Sequence, residues 1–267
     1  MSKINDAMKQ LHTVDALAER NTFLTGVHPA GRLLVTVLYL IALLSFPAQN
    51  LTGVLSMAVY IIIVYQLGQL SALGTVRHLW GLFLLLLLVG IANPILNQEV
   101  LVYWGNFPVT EGMLSCVTLF FKGGLALLSA YGLMASMGMN DFCYGLQCLH
   151  LPKILIVVVL LIYRYIMLFL KEAERRALAY SMRAPGQKGV HFSAWGSLLG
   201  GMLLGSIDRA EIVYESMQLR GFQGEFQMAC RDRLCKGRTV GYCLIMTAMI
   251  LFLRLVPVFE LVGGMFL

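Results

Sequence analysis

Charged residues are scarce in this sequence, at 13% of 267 residues, whereas an ordinary soluble domain carries about 25%. Hydrophobic residues make up 58% of the chain, and the mean hydropathy is +0.76. A soluble chain of this length cannot bury so much apolar surface, and much of it lies in unbroken blocks such as Leu79–Leu96. The composition therefore excludes a soluble protein and predicts an integral membrane protein in contact with the lipid bilayer.

Residue patterns that support catalysis or cofactor binding are also missing. The sequence has no Gly-x-x-x-x-Gly-Lys-Ser/Thr loop for nucleotide phosphates, and none of its five histidines stands four residues from another. Its six cysteines lack the spacing of a zinc site or a disulfide framework. No basic run interleaved with aromatic residues indicates nucleic-acid binding. We therefore predict a protein that is not an enzyme, with no cofactor, metal site or nucleic-acid partner.

Six apolar blocks are candidates for membrane-spanning helices, which need roughly 17–25 mostly apolar residues. They are Leu33–Pro47, Leu51–Leu67, Leu79–Leu96, Met113–Met137, Ile154–Leu170 and Val240–Val262. The first two are short and predict a helical hairpin, with Pro47 ending its first helix.

Charge bias predicts the orientation, because Lys and Arg accumulate in the cytoplasmic loops of membrane proteins. The segment Lys171–Arg238 holds 11 of the 20 basic residues and only 7 of the 14 acidic ones. It is therefore predicted to be cytoplasmic, and residues 97–112, which carry two glutamates and no Lys or Arg, are predicted to lie outside. Four basic residues place the N-terminal segment inside as well: Lys3, Lys9, Arg20 and Arg32.

These orientations conflict if all six blocks cross, because the basic segment after Ile154–Leu170 would then lie outside. We favour a fifth block that begins at Pro152 and runs as one long helix to about Arg183 along the cytoplasmic interface. Arg164, in the middle of its apolar part, would be costly at a bilayer centre. The alternative is a true span with Arg164 paired inside the bundle. About five transmembrane helices result from the favoured interpretation.

The cytoplasmic segment contains two further predicted helices, Phe192–Gly205 and about Ile207 to Arg220. Gly196, Gly200, Gly201 and Gly205 are spaced for close helix packing. Gly221 stands where a residue in the left-handed conformation would end the second of these helices. The long helix and this one finish alike, with an Arg beside a small residue and a breaker close behind. The residues are Met182, Arg183 and Ala184 at one end, and Leu219, Arg220 and Gly221 at the other.

These two ends resemble the coupling motifs of a known family, the transmembrane T component of energy-coupling factor (ECF) transporters, of the CbiQ/EcfT type. There, two cytoplasmic coupling helices each end in an Ala-Arg-Gly-like triplet. The segment Leu219-Arg220-Gly221-Phe222 matches the second motif closely, and Met182-Arg183-Ala184 matches the first with its flanking order reversed. The N-terminal pattern is similar to cobalt-type members in five residues: Asp15, Ala18, Asn21, His28 and Pro29.

The resemblance implies a non-catalytic subunit of a cobalt importer, in the service of cobalamin biosynthesis, in a bacterial or archaeal cell membrane. It implies two partner ATP-binding cassette ATPases at Arg183 and Arg220, and a separate membrane subunit that captures the substrate. Alternatives are a T component for nickel or a vitamin, and a transporter with its own substrate site, for which the halves show no internal repeat.

We thus expect an all-α integral membrane protein whose helical coupling domain is inserted before the last span. Its parts are a cytoplasmic segment 1–32, four transmembrane helices in 33–137, the coupling domain 138–238 and a last transmembrane helix in 239–267. Three cations within the apolar blocks are candidate intramembrane polar sites: Lys122, Arg164 and Arg254. Pairing within the bundle, or a side chain that reaches the interface, is our favoured interpretation of them.

Overall fold

The structure is a computed structural model that describes residues 22–47, 50–96, 100–104, 107–187, 189–224 and 236–255. The chain divides into two compact units. The bundle unit comprises Leu17–Gly145 and Arg231–Leu267, and the hairpin unit comprises Leu146–Cys230 with Met1–Ala16. Several residues used in the predictions lie outside the described ranges: Lys3, Lys9, Asp15, Ala18, Arg20, Asn21, Glu99 and 256–262.

Helices dominate the described residues, and each predicted apolar block contains at least one. Along the chain they are α1 (Pro29–Leu44), α2 (Leu51–Ser56), α3 (Ala58–Leu67), α4 (Ala72–His78), α5 (Trp80–Gly90), α6 (Ala92–Leu96), α7 (Glu111–Ser136), α8 (Met139–Cys148), α9 (Lys153–Arg183), α10 (Phe192–Leu219) and α11 (Lys236–Leu255). A short 3-10 helix, Phe23–Gly26, precedes α1.

Three of the described helices are long and apolar enough to cross a membrane, judged by length and composition: α7, α9 and residues Gly237–Leu255 of α11. Shorter apolar helices cover Pro29–Leu44, Leu51–Leu67 and Trp80–Pro94. The helical class and the membrane character expected from composition are thus supported. The number of spans and the interfacial position of α9 stay predictions.

The core of the bundle unit forms where α1, α3, α7 and α11 meet. The ring of Tyr39 on α1 stacks on that of Tyr60 on α3, with centroids 4.1 Å apart. Ile250 on α11 is fully buried in the same cluster. Because these aromatic and branched side chains lie on facing sides of their helices, they fix the packing of the first helices against the last.

A short antiparallel β-hairpin interrupts the otherwise helical chain. Strand β1 (Val100–Trp104) pairs with strand β2 (Phe107–Thr110), between α6 and α7. The sequence carried the signal, because Val-Leu-Val-Tyr-Trp is rich in strand formers and Gly-Asn is a typical two-residue hairpin connection. Counting apolar residues and charges overlooked it.

The hairpin unit contains α9 and α10, and it corrects a second expectation. The prediction of two helices, Phe192–Gly205 and Ile207–Arg220, is wrong, because α10 is one continuous helix of 28 residues. A glycine inside a helix costs only about 1 kcal/mol, so Gly205 alone does not end it. Two of the four small residues serve packing, since the guanidinium of Arg176 on α9 lies against Gly201 and Gly205. Nothing lies within 4 Å of a Cβ added at Gly196 or Gly200.

Candidate functional site

The carboxyl end of α9 presents Arg183 to solvent. The helix runs unbroken from Lys153 to Arg183, as the sequence predicts, because no breaker interrupts it. The Ala184 N–H donates the last helical hydrogen bond to the Tyr180 carbonyl at 3.0 Å. Pro185 cannot continue the pattern, and Gly186 adopts a φ of +98°. Arg183 is exposed, and so is its neighbour Met182, at 72%.

The carboxyl end of α10 presents Arg220 in a Schellman motif. The Phe222 N–H donates to the Met217 carbonyl at 3.0 Å, and the Gly221 N–H donates to the Gln218 carbonyl at 2.9 Å. Gly221 has a φ of +79°, so the prediction that it ends the helix in the left-handed conformation is confirmed. Leu219 and Arg220 are both exposed, Leu219 at 90%.

The loop between the two helices folds back on the last turn of α9. The Tyr180 hydroxyl donates to Gln187 Oε1 at 2.8 Å, and the His191 N–H donates to the Tyr180 oxygen at 3.4 Å. His191 Nδ1 in turn accepts from the Ser193 N–H and caps the start of α10. The first residues of α10 therefore lie beside the end of α9, and the two helices run in opposite directions.

Contacts along the two helices confirm the antiparallel arrangement. Near the loop, Arg176 on α9 contacts Gly201 and Gly205 on α10. Farther from the loop, Tyr165 on α9 and Met217 on α10 line a groove between the two helices. The groove has a volume of about 420 Å³ and is almost entirely apolar. Since α10 has 28 residues at 1.5 Å each, its two ends are about 40 Å apart.

Arg183 and Arg220 consequently lie at opposite ends of the hairpin unit, a separation that their similar motifs do not predict. The signal was the short connection from Ala184 to His191, because short loops join antiparallel neighbours. The structure thus separates the two predicted sets, Met182, Arg183 and Ala184 on one side and Leu219, Arg220 and Gly221 on the other. Their contact with partner proteins stays a prediction.

Two of the three intramembrane cations converge on the carboxyl end of α1. Lys122 on α7 donates to the carbonyls of Phe46 and Pro47. Arg254 on α11 donates through Nη1 to the Ala42 carbonyl at 3.0 Å and through Nη2 to Ser45 Oγ at 2.8 Å. Both side chains thus bind backbone carbonyls of the bundle unit, and Arg254 also binds a hydroxyl; their position within a membrane stays a prediction. Arg164 lies on α9 in the hairpin unit, and its side chain is exposed, as is that of Arg254.

A third polar cluster surrounds the amino end of α1, where His28 precedes Pro29. His28 Nδ1 accepts from the Ala30 N–H at 3.2 Å, and the His28 N–H donates to Thr239 Oγ1 on α11 at 3.0 Å. Burial, and secondarily the positive charge of Arg32, lowers the pKa of His28, which favours the neutral ring that can accept this bond. Arg32 is 2% exposed and donates to the Ser136 carbonyl at the end of α7, at 2.7 Å.

Metal-ligating side chains do not gather within the described ranges: no group of three His, Cys, Asp or Glu residues there is placed to hold a metal ion. The described residues instead present surfaces on which a partner could bind. The exposed arginines at the ends of α9 and α10 lie far apart in the hairpin unit. The bundle unit contains apolar helices long enough to span a membrane.

The fold and the site together define a helical membrane protein in which two antiparallel helices, α9 and α10, each end in an exposed arginine. A family model described as a cobalt transport protein, CbiQ, matches residues 20–229. The chain therefore belongs to the CbiQ family of cobalt transport proteins, and the predicted resemblance is confirmed. Among curated proteins, none matches this chain.

Proposed function

We propose that this chain is the energy-coupling transmembrane subunit of an ECF-type ATP-driven importer for cobalt. It lies in a bacterial or archaeal cell membrane with its N-terminus and coupling domain in the cytoplasm. Two ATP-binding cassette ATPases bind at the coupling helices, and a separate membrane subunit captures the substrate. Membership in a cobalt transport family supports the cargo.

The observation that carries the proposal is the placement of Arg183 and Arg220. Each arginine ends a long helix, each is exposed, and about 40 Å of α10 separates them. Two ATPases side by side could therefore each bind one of the two ends. An exposed guanidinium offers a planar fork of donors to carboxylates or carbonyls of a partner.

The proposed mechanism is mechanical transmission. When ATP closes the two ATPases, the distance between their docking sites changes, and the ends of α9 and α10 follow. The helices then pass this displacement into the bundle unit through the chain connections, and the bundle passes it to the substrate-capture subunit. In this mechanism the chain binds neither nucleotide nor, mainly, cargo.

Charge reversal at both helix ends tests the proposal. We expect Arg183→Glu with Arg220→Glu to lower ATPase co-purification at least 10-fold, because losing one charged partner at an interface costs about 2–5 kcal/mol. Arg175→Glu is the matched control, since Arg175 is also on α9 with a side chain 82% exposed. Membrane insertion should be unchanged in all variants. Undiminished co-purification with the double variant contradicts the proposal.

A further inference from the structure

The chain leaves the bundle unit after Gly145 and returns to it at Arg231. These are two of the three covalent links between the units, and they are the two that flank α9 and α10. A displacement of the coupling helices is therefore carried along the chain to both of them. The described residues nearest to them in the bundle are the last residues of α8 before the boundary and the first turns of α11. Both meet the same short segment, which we call the amino-terminal clamp: Val27–Arg32.

At the first connection, the backbone of Gly145 on α8 packs directly against the amino-terminal clamp. A Cβ added at Gly145 would lie 3.2 Å from the Pro29 carbonyl carbon and 2.6 Å from Leu33 Cδ1. Next to it, the Tyr144 ring lies 5.4 Å from the ring of His28. The backbone of α8 is thus pressed directly on the start of α1, which only glycine permits.

On the second connection, the first turns of α11 hold the clamp from another side. Thr239 Oγ1 accepts the His28 N–H at 3.0 Å. A Cβ added at Gly31 would lie 2.9 Å from Cys243 Sγ, so these helices also meet at a glycine. Just before the clamp, Arg238 lies over the ring of Phe23 at 5.1 Å.

We infer that the amino-terminal clamp ties the exit and the return of the chain together, so that motion of the coupling helices enters the bundle as one displacement. This inference rests on the proposed function, which it deepens by naming the point of transmission. It also gives the His28-Pro29 pair a role: His28 caps α1 and Pro29 fixes its first turn, which holds the clamp rigid between α8 and α11.

Two variants loosen the clamp without touching Arg183 or Arg220. Gly145→Val pushes α8 away from Pro29, and Thr239→Val removes the acceptor of the His28 N–H while preserving shape. Gly241→Ala is the matched control on α11, because nothing lies within 4 Å of its added Cβ.

The measurement is cobalt(II) imported per ATP hydrolysed by the whole complex in liposomes. We expect both clamp variants to lower this ratio at least 5-fold with ATPase co-purification unchanged, and Gly241→Ala to leave it at the wild-type value.

A cross-link gives a second readout that does not depend on cargo. With Cys243 as the sole remaining native cysteine, Gly31→Cys should form a disulfide as fast with ATP as without it, because the clamp moves as one body. Gly145→Val should slow this bond formation at least 5-fold. A wild-type ratio in both clamp variants, or cross-linking that slows with ATP, overturns the inference. If the ATPases do not co-purify with the wild-type chain, the proposed function is overturned instead.

Discussion

At the scale of residues, two of the three cations within the apolar blocks, Lys122 and Arg254, bind backbone carbonyls rather than carboxylates. The last carbonyls of a helix have no partner within that helix, and in a low-dielectric setting an unpaired carbonyl is costly. Lys122 and Arg254 supply donors to the end of α1 and to the turn after it. Their positive charge also suits the negative end of the helix dipole.

Removing either cation should destabilise the bundle unit. We expect Lys122→Met and Arg254→Met each to lower the free energy of unfolding by about 0.5–1.5 kcal/mol, because part-buried carbonyls lose their donors. Denaturation in mixed detergent measures this change. Arg164→Met is the control: Arg164 lies on α9, in the hairpin unit, and we expect no loss there. Equal stability of all three variants would contradict the capping role.

Sequence reasoning could identify these cations but not their meeting point. An ionisable residue in an apolar block can be recognised from the sequence, whereas its partner Phe46, just after α1, lies 76 residues from Lys122. In the sequence Arg32 indicates only a cytoplasmic charge, although its guanidinium donates to the Ser136 carbonyl inside the bundle unit. Such long-range partners depend on packing, which composition and periodicity do not determine.

At the scale of elements, helix ends were more predictable than helix joins. Pro152 before α9 and Gly221 after α10 act through local backbone geometry, so their neighbours in sequence suffice. The break expected between Gly205 and Ile207 does not exist, because a glycine needs a left-handed backbone or a following proline to stop a helix. The β-hairpin was missed because a charge count does not detect alternation.

The cap of α10 can be weakened alone. Gly221→Ala places a Cβ at a φ of +79°, which costs about 1–2 kcal/mol. We expect faster hydrogen exchange at the Gly221 and Phe222 amides, whose bonds close the Schellman motif. Gly196→Ala provides the comparison, since it lies inside α10 with open space around it and should slow exchange slightly. Unchanged exchange after Gly221→Ala would show that the cap does not hold the last turn.

At the scale of the whole molecule, the two units differ in what stabilises them. The bundle unit has a buried core, whereas α10 contains no buried residue. Regions with little buried apolar surface open locally at low free energy. The orientation of the units in a membrane still depends on the charge bias read from the sequence, and it stays a prediction.

Hydrogen exchange on the isolated chain should resolve this difference. We expect amides of α10 to be at least 10-fold less protected than those in the middle of α1, since few contacts oppose their opening. Assembly with the ATPases should raise protection most in the last turns of α9 and α10. Equal protection of α1 and α10 in the isolated chain would contradict the expectation that α10 opens at a lower free energy than the bundle unit.

The shortness of α1 has a consequence for the surrounding lipid. With 16 residues at 1.5 Å each, α1 is about 24 Å long, less than the ~30 Å hydrocarbon thickness of a typical bilayer. A row of exposed apolar side chains follows its outer face: Leu34, Val37, Ile41 and Leu44. Placed across a membrane, this face matches a thinned bilayer better than an average one, and acyl-chain length becomes a variable that tunes the packing of the bundle.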